Sequence, residues 1–306
     1  MIKKNLLHQF EEKLNPQKLK DSPIPATILG YGEISTIFQI GDDDSIAYKR
    51  MPLFANRAEA EKYSALFQEY CQELTVAGLH LPSQEVIIIE VPQRPVSLYI
   101  AQQQLPGARF GHKLIQMFDR NRIQDLFELI VMEIDKVWQF NKTSKPGLEL
   151  ALDGQLSNWV YLDNVGPSSL LYIDTSTPLL RKNGVEQLDP ELLLQSAPSF
   201  LRWIIRSLFL DDVMNRYYDA RSVYIDLAAN LFKEQRSDLI PLALDCINEH
   251  RAVDIKPITS SEVQKYYKTD KLIWTLFLAF RRVDLWLTTK LFRQRYEFIL
   301  PKQINR

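Results

Sequence analysis

Leu152-Asp153-Gly154-Gln155-Leu156-Ser157-Asn158-Trp159-Val160-Tyr161-Leu162, followed by Leu170-Leu171-Tyr172-Ile173-Asp174-Thr175-Ser176, is the part of the chain on which the fold reading turns. It holds D-x-x-x-x-N, a short apolar run, a polar turn and a second apolar run that ends in aspartate. The two apolar runs read as short strands. This order of groups suits phosphoryl transfer. One carboxylate orients an acceptor hydroxyl, while an amide oxygen and a second carboxylate hold Mg²⁺ against nucleotide phosphates. Asp and Asn are also common in turns, and the trio alone reads better as turn chemistry.

The upstream half of the chain changes that balance. Thr27-Ile28-Leu29-Gly30-Tyr31-Gly32-Glu33-Ile34-Ser35-Thr36-Ile37-Phe38-Gln39-Ile40 alternates apolar and polar side chains on either side of a Gly-x-Gly turn. Such alternation is the mark of half-buried strands. Glycine lets a backbone approach a phosphate closely, with no Cβ in the way. Gly41-Asp42-Asp43-Asp44 reads as a turn, and 45–51 as a third strand that carries Lys49. A strand lysine can reach α/β-phosphates as a point charge.

Taken in order, these motifs resemble the protein-kinase-like superfamily, most of all its aminoglycoside/choline-kinase branch. Gly30-Tyr31-Gly32-Glu33-Ile34-Ser35 is similar to the Gly-rich loop, with Ser35 where a third glycine often stands. Ala47-Tyr48-Lys49 is similar to the V-A-I-K strand, and Gln102-Gln103-Gln104-Leu105-Pro106-Gly107 resembles the hinge with its L-P-G. Asp153 and Asn158 match the catalytic-loop Asp and Asn, and Asp174 matches the metal-binding Asp of D-F-G. The resemblance spans roughly residues 26–180 by motif.

It implies an α+β, bilobal protein-kinase-like fold. A small antiparallel N-lobe would occupy 1–103 and a larger, mainly helical C-lobe 104–306. It further implies ATP or GTP with Mg²⁺ as cofactors and a small-molecule hydroxyl as acceptor. Gly30, Gly32 and Ser35 would cover the phosphates, Lys49 would contact them, and Gln103 would lie at the hinge beside the base. Asn158 and Asp174 would hold the metal, and Asp153 would take or orient the acceptor proton.

Two departures keep other classes open. Ala151-Leu152 stand where the family has a histidine before the catalytic Asp, and Thr175-Ser176 replace the Phe-Gly of D-F-G. A pseudokinase acting as a nucleotide-binding or protein-interaction module fits these changes. So does a kinase-fold enzyme with a protein substrate or nucleotidyl chemistry.

The resemblance also calls for a glutamate to pair with Lys49, from a helix at 57–77. Tyr63, Leu66, Phe67, Tyr70 and Leu74 define its apolar face. On a helical wheel Glu59 falls on that face, and an acid buried there needs a cation. Asn56-Arg57-Ala58-Glu59 is also a capping-box pattern, the competing reading. Glu73 is the second candidate.

Composition narrows the field. Lys+Arg of 37 against Asp+Glu of 38 gives a formal net charge of −1, so neither a nucleic acid nor a membrane surface is expected as partner. Cys71 and Cys246 are too isolated for a disulfide framework or a zinc site and fit a reduced, cytoplasmic setting. His8, His80, His112 and His250 lack metal-ligand spacing. Further helices are expected at 2–14, 122–141, 198–210, 219–233, 237–250 and 271–296, with strands at 85–91 and 96–102. Within Phe277–Phe298, cations interleave with aromatics, which reads as a packed helix whose cations snorkel.

Overall fold

The predicted strands assemble into one antiparallel sheet. Its members are β1 (Ala26–Tyr31), β2 (Thr36–Ile40), β3 (Ile46–Phe54), β4 (Gln84–Ile89) and β5 (Val96–Gln103), in the order β1-β2-β3-β5-β4. This is a computed structural model, and it describes all residues except 1–3, 33, 144–145, 163–169, 196–197, 199–200, 204–209, 251–254 and 302–306. Successive strand residues point to opposite faces. Thus Lys49 and Met51 of β3 face one way, and Tyr48 and Arg50 the other. The first face is covered by α2 (Arg57–Val76) through Tyr63, Phe67, Tyr70 and Leu74. The second is covered by α1 (Lys4–Lys13), whose Leu7 and Phe10 pack with Phe38, Ile40, Tyr48 and Tyr99.

After the sheet the chain is mostly helical. It runs through α3 (Gly111–Met117) into α4 (Arg120–Thr143), which buries Ile123, Leu126, Phe127, Ile130, Ile134 and Val137 along one stripe. Three very short strands, β6 (Leu148–Leu150), β9 (Leu180–Lys182) and β10 (Val185–Glu186), pair in the order β10-β9-β6. Between them β7 (Trp159–Tyr161) pairs with β8 (Leu170–Tyr172). Then come α5 (Glu191–Gln195), α6 (Leu210–Tyr217), α7 (Ala220–Lys233), α8 (Ile240–His250) and α9 (Ser260–Trp286). The result is α+β and bilobal, the layout of a protein-kinase-like fold. One apolar cluster runs without a break from Ile34 and Met51 under the sheet, through α4, to Ile247 of α8.

The last helix differs from its prediction at both ends. Thr259 and Glu262 form a capping box that starts it at Ser260, eleven residues before the expected 271. It stops at Trp286, a π-turn spans Leu287–Leu291, and Arg293 takes a φ of 54° that reverses the chain. Residues 294–300 then return to the sheet, where the Gln17 side chain donates to the carbonyls of Tyr296 and Phe298, each at 3.1 Å. The expected helix at 198–210 lies largely outside the described residues.

A buried ionic network rewards that return. The Glu11 carboxylate, 1% exposed, accepts from Arg50 Nε at 2.6 Å, Arg50 Nη2 at 2.7 Å and Ser97 Oγ at 3.1 Å. Tyr99 and Arg94 donate to it as well. Glu297 of the returning segment accepts from Arg50 Nη2 at 2.9 Å and from Arg295 Nε at 2.6 Å. Burial alone would raise the Glu11 pKa, but the Arg50 charge and the bonds from Arg50 and Tyr99 bring it from 4.5 down to about 2. A depressed carboxyl pKa stabilises the fold fully above pH 4.5, and that contribution fades as pH falls towards 2. Glu11→Gln, which leaves buried Arg50 with Glu297 as its remaining acid, is expected to cost ~3 kcal/mol in urea unfolding at pH 7. The variant should also lose stability less steeply than the parent between pH 4.5 and 2.

Candidate active site

Lys49 and Asp174 meet at the heart of the interlobe region. Lys49 Nζ donates to Asp174 Oδ1 at 2.9 Å and to Ser176 Oγ at 2.7 Å, and Ser176 Oγ donates to Asp174 Oδ1 at 3.1 Å. The two charged residues lie 125 positions apart in sequence. Strand β3 brings one from the sheet, and β8 delivers the other two residues past its end. Burial pushes the Asp174 carboxyl up, but the Lys49 charge and the bonds from Lys49 and Ser176 outweigh it and hold the pKa below the usual carboxylate range.

Asp153 follows β6 in a loop built by its own neighbours. Gln155 N donates to Asp153 Oδ1 at 3.1 Å, and Asp153 N donates to Tyr172 Oη at 3.2 Å. Asn158 closes the loop by donating through Nδ2 to the Asp153 carbonyl at 3.0 Å. The Asn158 carbonyl in turn accepts from Ile173 N at 3.0 Å, next to Asp174. Backbone bonds therefore tie the Asp153–Asn158 loop to the residue that precedes Asp174. Gly154 seats it against the helices: a Cβ there would lie 2.9 Å from Val223 Cγ1 and 3.1 Å from Ile134 Cδ1. Burial, then the charges of Asp226 and Asp174, push the Asp153 carboxyl well above its ordinary pKa.

Asp226 and Lys233 escaped the sequence reading. They lie seven residues, two turns, apart on one face of α7, a spacing that could have flagged them. Lys233 Nζ stands 3.8 Å from Asp226 Oδ1 and 3.5 Å from Asp270 Oδ2 of α9. Burial raises the Asp226 carboxyl, and the Lys233 charge opposes this.

Glu59 is not the partner of Lys49. It is exposed and caps α2: Glu59 N donates to Asn56 Oδ1, and the Glu59 carboxylate accepts from Ala55 N and Asn56 Nδ2, each at 3.0 Å. The orphan N–H groups of a helix start compete for such an acid, and here they hold it. Glu73 is buried in the last turns of the same helix. The α2 side chain that reaches the site is Tyr63, whose hydroxyl donates to the Ser176 carbonyl at 2.5 Å. Tyr70 donates likewise to the Ala151 carbonyl at 2.7 Å.

The remaining predicted residues lie around this centre. Gly30 sits at an irregularity where the β1–β2 register shifts between Ile28 and Gly30. Gly32 N donates to the Ser35 carbonyl at 3.0 Å, and a Cβ on Gly32 would fall 2.5 Å from Ser35 Oγ. Ser35 itself is buried. Gln103 ends β5 with its side chain exposed and its N–H donating to the Ser83 carbonyl at 2.9 Å. Its neighbour Gln102 points inward and donates to the Ile173 carbonyl at 3.3 Å. Thr175, where the family motif has Phe, donates to Gln84 Oε1 at 3.0 Å. Polar bonds from three elements thus hold Asp174-Thr175-Ser176.

Among the described residues, no three His, Cys, Asp or Glu side chains gather as a metal site. Mg²⁺ asks for less: one or two protein ligands with phosphates and water completing its shell. Of the two residues expected to hold Mg²⁺, Asp174 accepts from Lys49 and Ser176, and Asn158 spends its Nδ2 on the Asp153 carbonyl.

Residues 13–285 match the model of the family described as family of unknown function DUF6206, and the chain belongs to that family. No curated protein matches it. Among solved structures, it is similar to the GDP and kanamycin complex of APH(2")-IIia, at 9% identity over 78% of this chain and 97% of that one, with a TM-score of 0.34.

Because Gly154 has no space for a side chain, Gly154→Ala is expected to destabilise the protein by ~1–3 kcal/mol in chemical denaturation. A loss within error of zero would show that α4 and α7 do not clamp this loop.

Proposed function

We propose that the protein is a nucleotide- and Mg²⁺-dependent phosphotransferase acting on a hydroxyl of a small molecule, with ATP as the first nucleotide to test and GTP as the second. The observation that supports this best is the contact of Lys49 with Asp174 beside the loop that carries Asp153 and Asn158. In this reading Lys49 exchanges its contact with Asp174 for phosphate oxygens, and the Gly30–Gly32 turn with Ser35 covers them. Gln103 borders the base. Asp174 and Asn158 hold the metal, which when bound offsets phosphate charge. Asp153 accepts or orients the acceptor proton, and its raised pKa makes it a stronger base than an exposed aspartate. The rate gain comes from positioning and electrostatics.

A second reading is supported by the Lys49–Asp174 pair itself, together with Tyr63 in place of an acid on α2. A site whose cation and metal-binding carboxylate satisfy one another suits a weak or inactive pseudokinase that binds nucleotide or protein. Turnover separates the two. Asp153→Ala and Asp174→Ala should each lower Mg²⁺-dependent nucleotide turnover by at least about 100-fold, with the folded state retained by circular dichroism. Parent-like turnover in either variant would remove the proposed roles. A thermal shift with Mg·ATP but no turnover in the parent favours the second reading. A nucleotidyl mass gained on incubation would replace phosphoryl transfer with nucleotidyl transfer.

The pH profile gives a separate check. Asp153 must be ionised to act as a base, so activity should fall on acidification at a pH above the ordinary carboxylate range. Asp226→Asn removes a repelling charge and should move that acid limb to lower pH. A limb that stays put would argue against Asp153 as the titrating group.

A further inference from the structure

The second half of α9 carries an exposed apolar ridge. Leu272, Ile273, Leu276, Phe280, Val283 and Trp286 are each 37–60% exposed. At 100° per residue they share one face of the helix, about 21 Å long at 1.5 Å per residue. Arg281, on the far side, and Asp284, at the edge of the ridge, are buried, and Trp274, Phe277, Leu278 and Leu285 are half-buried. Contiguous exposed apolar surface of this extent marks a site of contact.

The charges bordering it have one sign. From Lys265 to Arg293 every exposed charged side chain is a cation: Lys265, Lys268, Lys271, Arg282, Lys290 and Arg293. The two acids of the stretch turn inward, Asp270 towards Lys233 and Asp284 into the interior. The whole chain carries a net charge of −1, so this is segregation of charge onto one face rather than a basic protein throughout.

We propose that this face of α9 seats the protein on an anionic lipid bilayer. An apolar stripe with Trp at one end, flanked by Lys and Arg, is what an interfacial helix needs. The apolar side chains enter the acyl boundary, and the cations meet the headgroups. A second copy of the chain fits less well, because it would set these cations against their own kind. A folded acidic protein would need a groove to receive a single convex helix, whereas a bilayer deforms around one. The contact is interfacial, and among the described residues no helix is long and apolar enough to cross a membrane.

The test is co-sedimentation of the full chain with vesicles of phosphatidylcholine alone, or with about a third phosphatidylserine. Binding to the anionic vesicles should exceed binding to the neutral ones at least about tenfold, and added salt should reverse it. Leu276→Glu with Val283→Glu, and separately Lys268→Glu with Lys290→Glu, should each weaken binding by at least about tenfold. All four positions are exposed, so both variants are expected to melt like the parent. No binding to anionic vesicles, equal binding to both kinds, or indifference to both variants would overturn the proposal. So would a dimer in sedimentation equilibrium that Leu276→Glu dissociates, since the ridge would then belong to a second copy.

Discussion

The bond between Lys49 and Asp174 is the constraint around which the molecule is arranged. Both groups are largely shielded from water, and a shielded charge without a partner is costly. The partner of each lies on a different part of the fold, so satisfying one requires the sheet and the segment after β8 to come together. β3 presents Lys49 only because its period of two sends Arg50 to the far side. That side therefore needs its own acid, which α1 supplies as Glu11. Two adjacent cations on one strand thus demand two separate counter-charges, and the layers on either side of the sheet follow from that demand.

Tyr63 shows a different way of fastening α2 to the site. An acid at that place would compete with Asp174 for the lysine. A buried tyrosine, which burial first and the Asp174 charge next keep protonated, instead grips a backbone carbonyl with a neutral hydrogen bond. The helix is then coupled to the Asp174-Thr175-Ser176 turn rather than to the strand lysine. Motion of α2 would be felt first at the carbonyl of Ser176 and only afterwards at Lys49. The link is consistent with the altered residues of that turn, where Thr175 and Ser176 offer hydroxyls in place of an aromatic plug.

Much of this was legible from residue order. Period-two alternation marked β1 and β2, and short apolar runs marked the other three strands of the sheet. The stripe on α4 was plain, and Lys49, Asp153, Asn158 and Asp174 stood out by the order of their motifs along the chain, each being weak by its local spacing alone. Glu59 misled because a helical wheel reports an angle but not whether a side chain curls back onto its own helix start. β6, β9 and β10 are two or three residues long, too short for any period to register. Asp226 and Tyr63 act through contacts with residues far away in sequence, and no local pattern encodes those. The aromatic-basic run after Phe277 kept its helical look to 296, although Arg293 breaks it. Tyr296 and Glu297 gain more from burial against β3 and α1 than from another turn of helix.

That returning segment has a mechanical consequence. The chain passes between the sheet and the helical body once at 104–107, and again where it leaves α9 for its anchorage on Arg50 and Gln17. A body tethered at one place can swing and swivel. Fastened at two, it is left with rotation about the line that joins them, as a door is by a pair of hinges. Any movement of the sheet against the helical body would have to be taken up at both crossings, and residues 294–300 make the second of them.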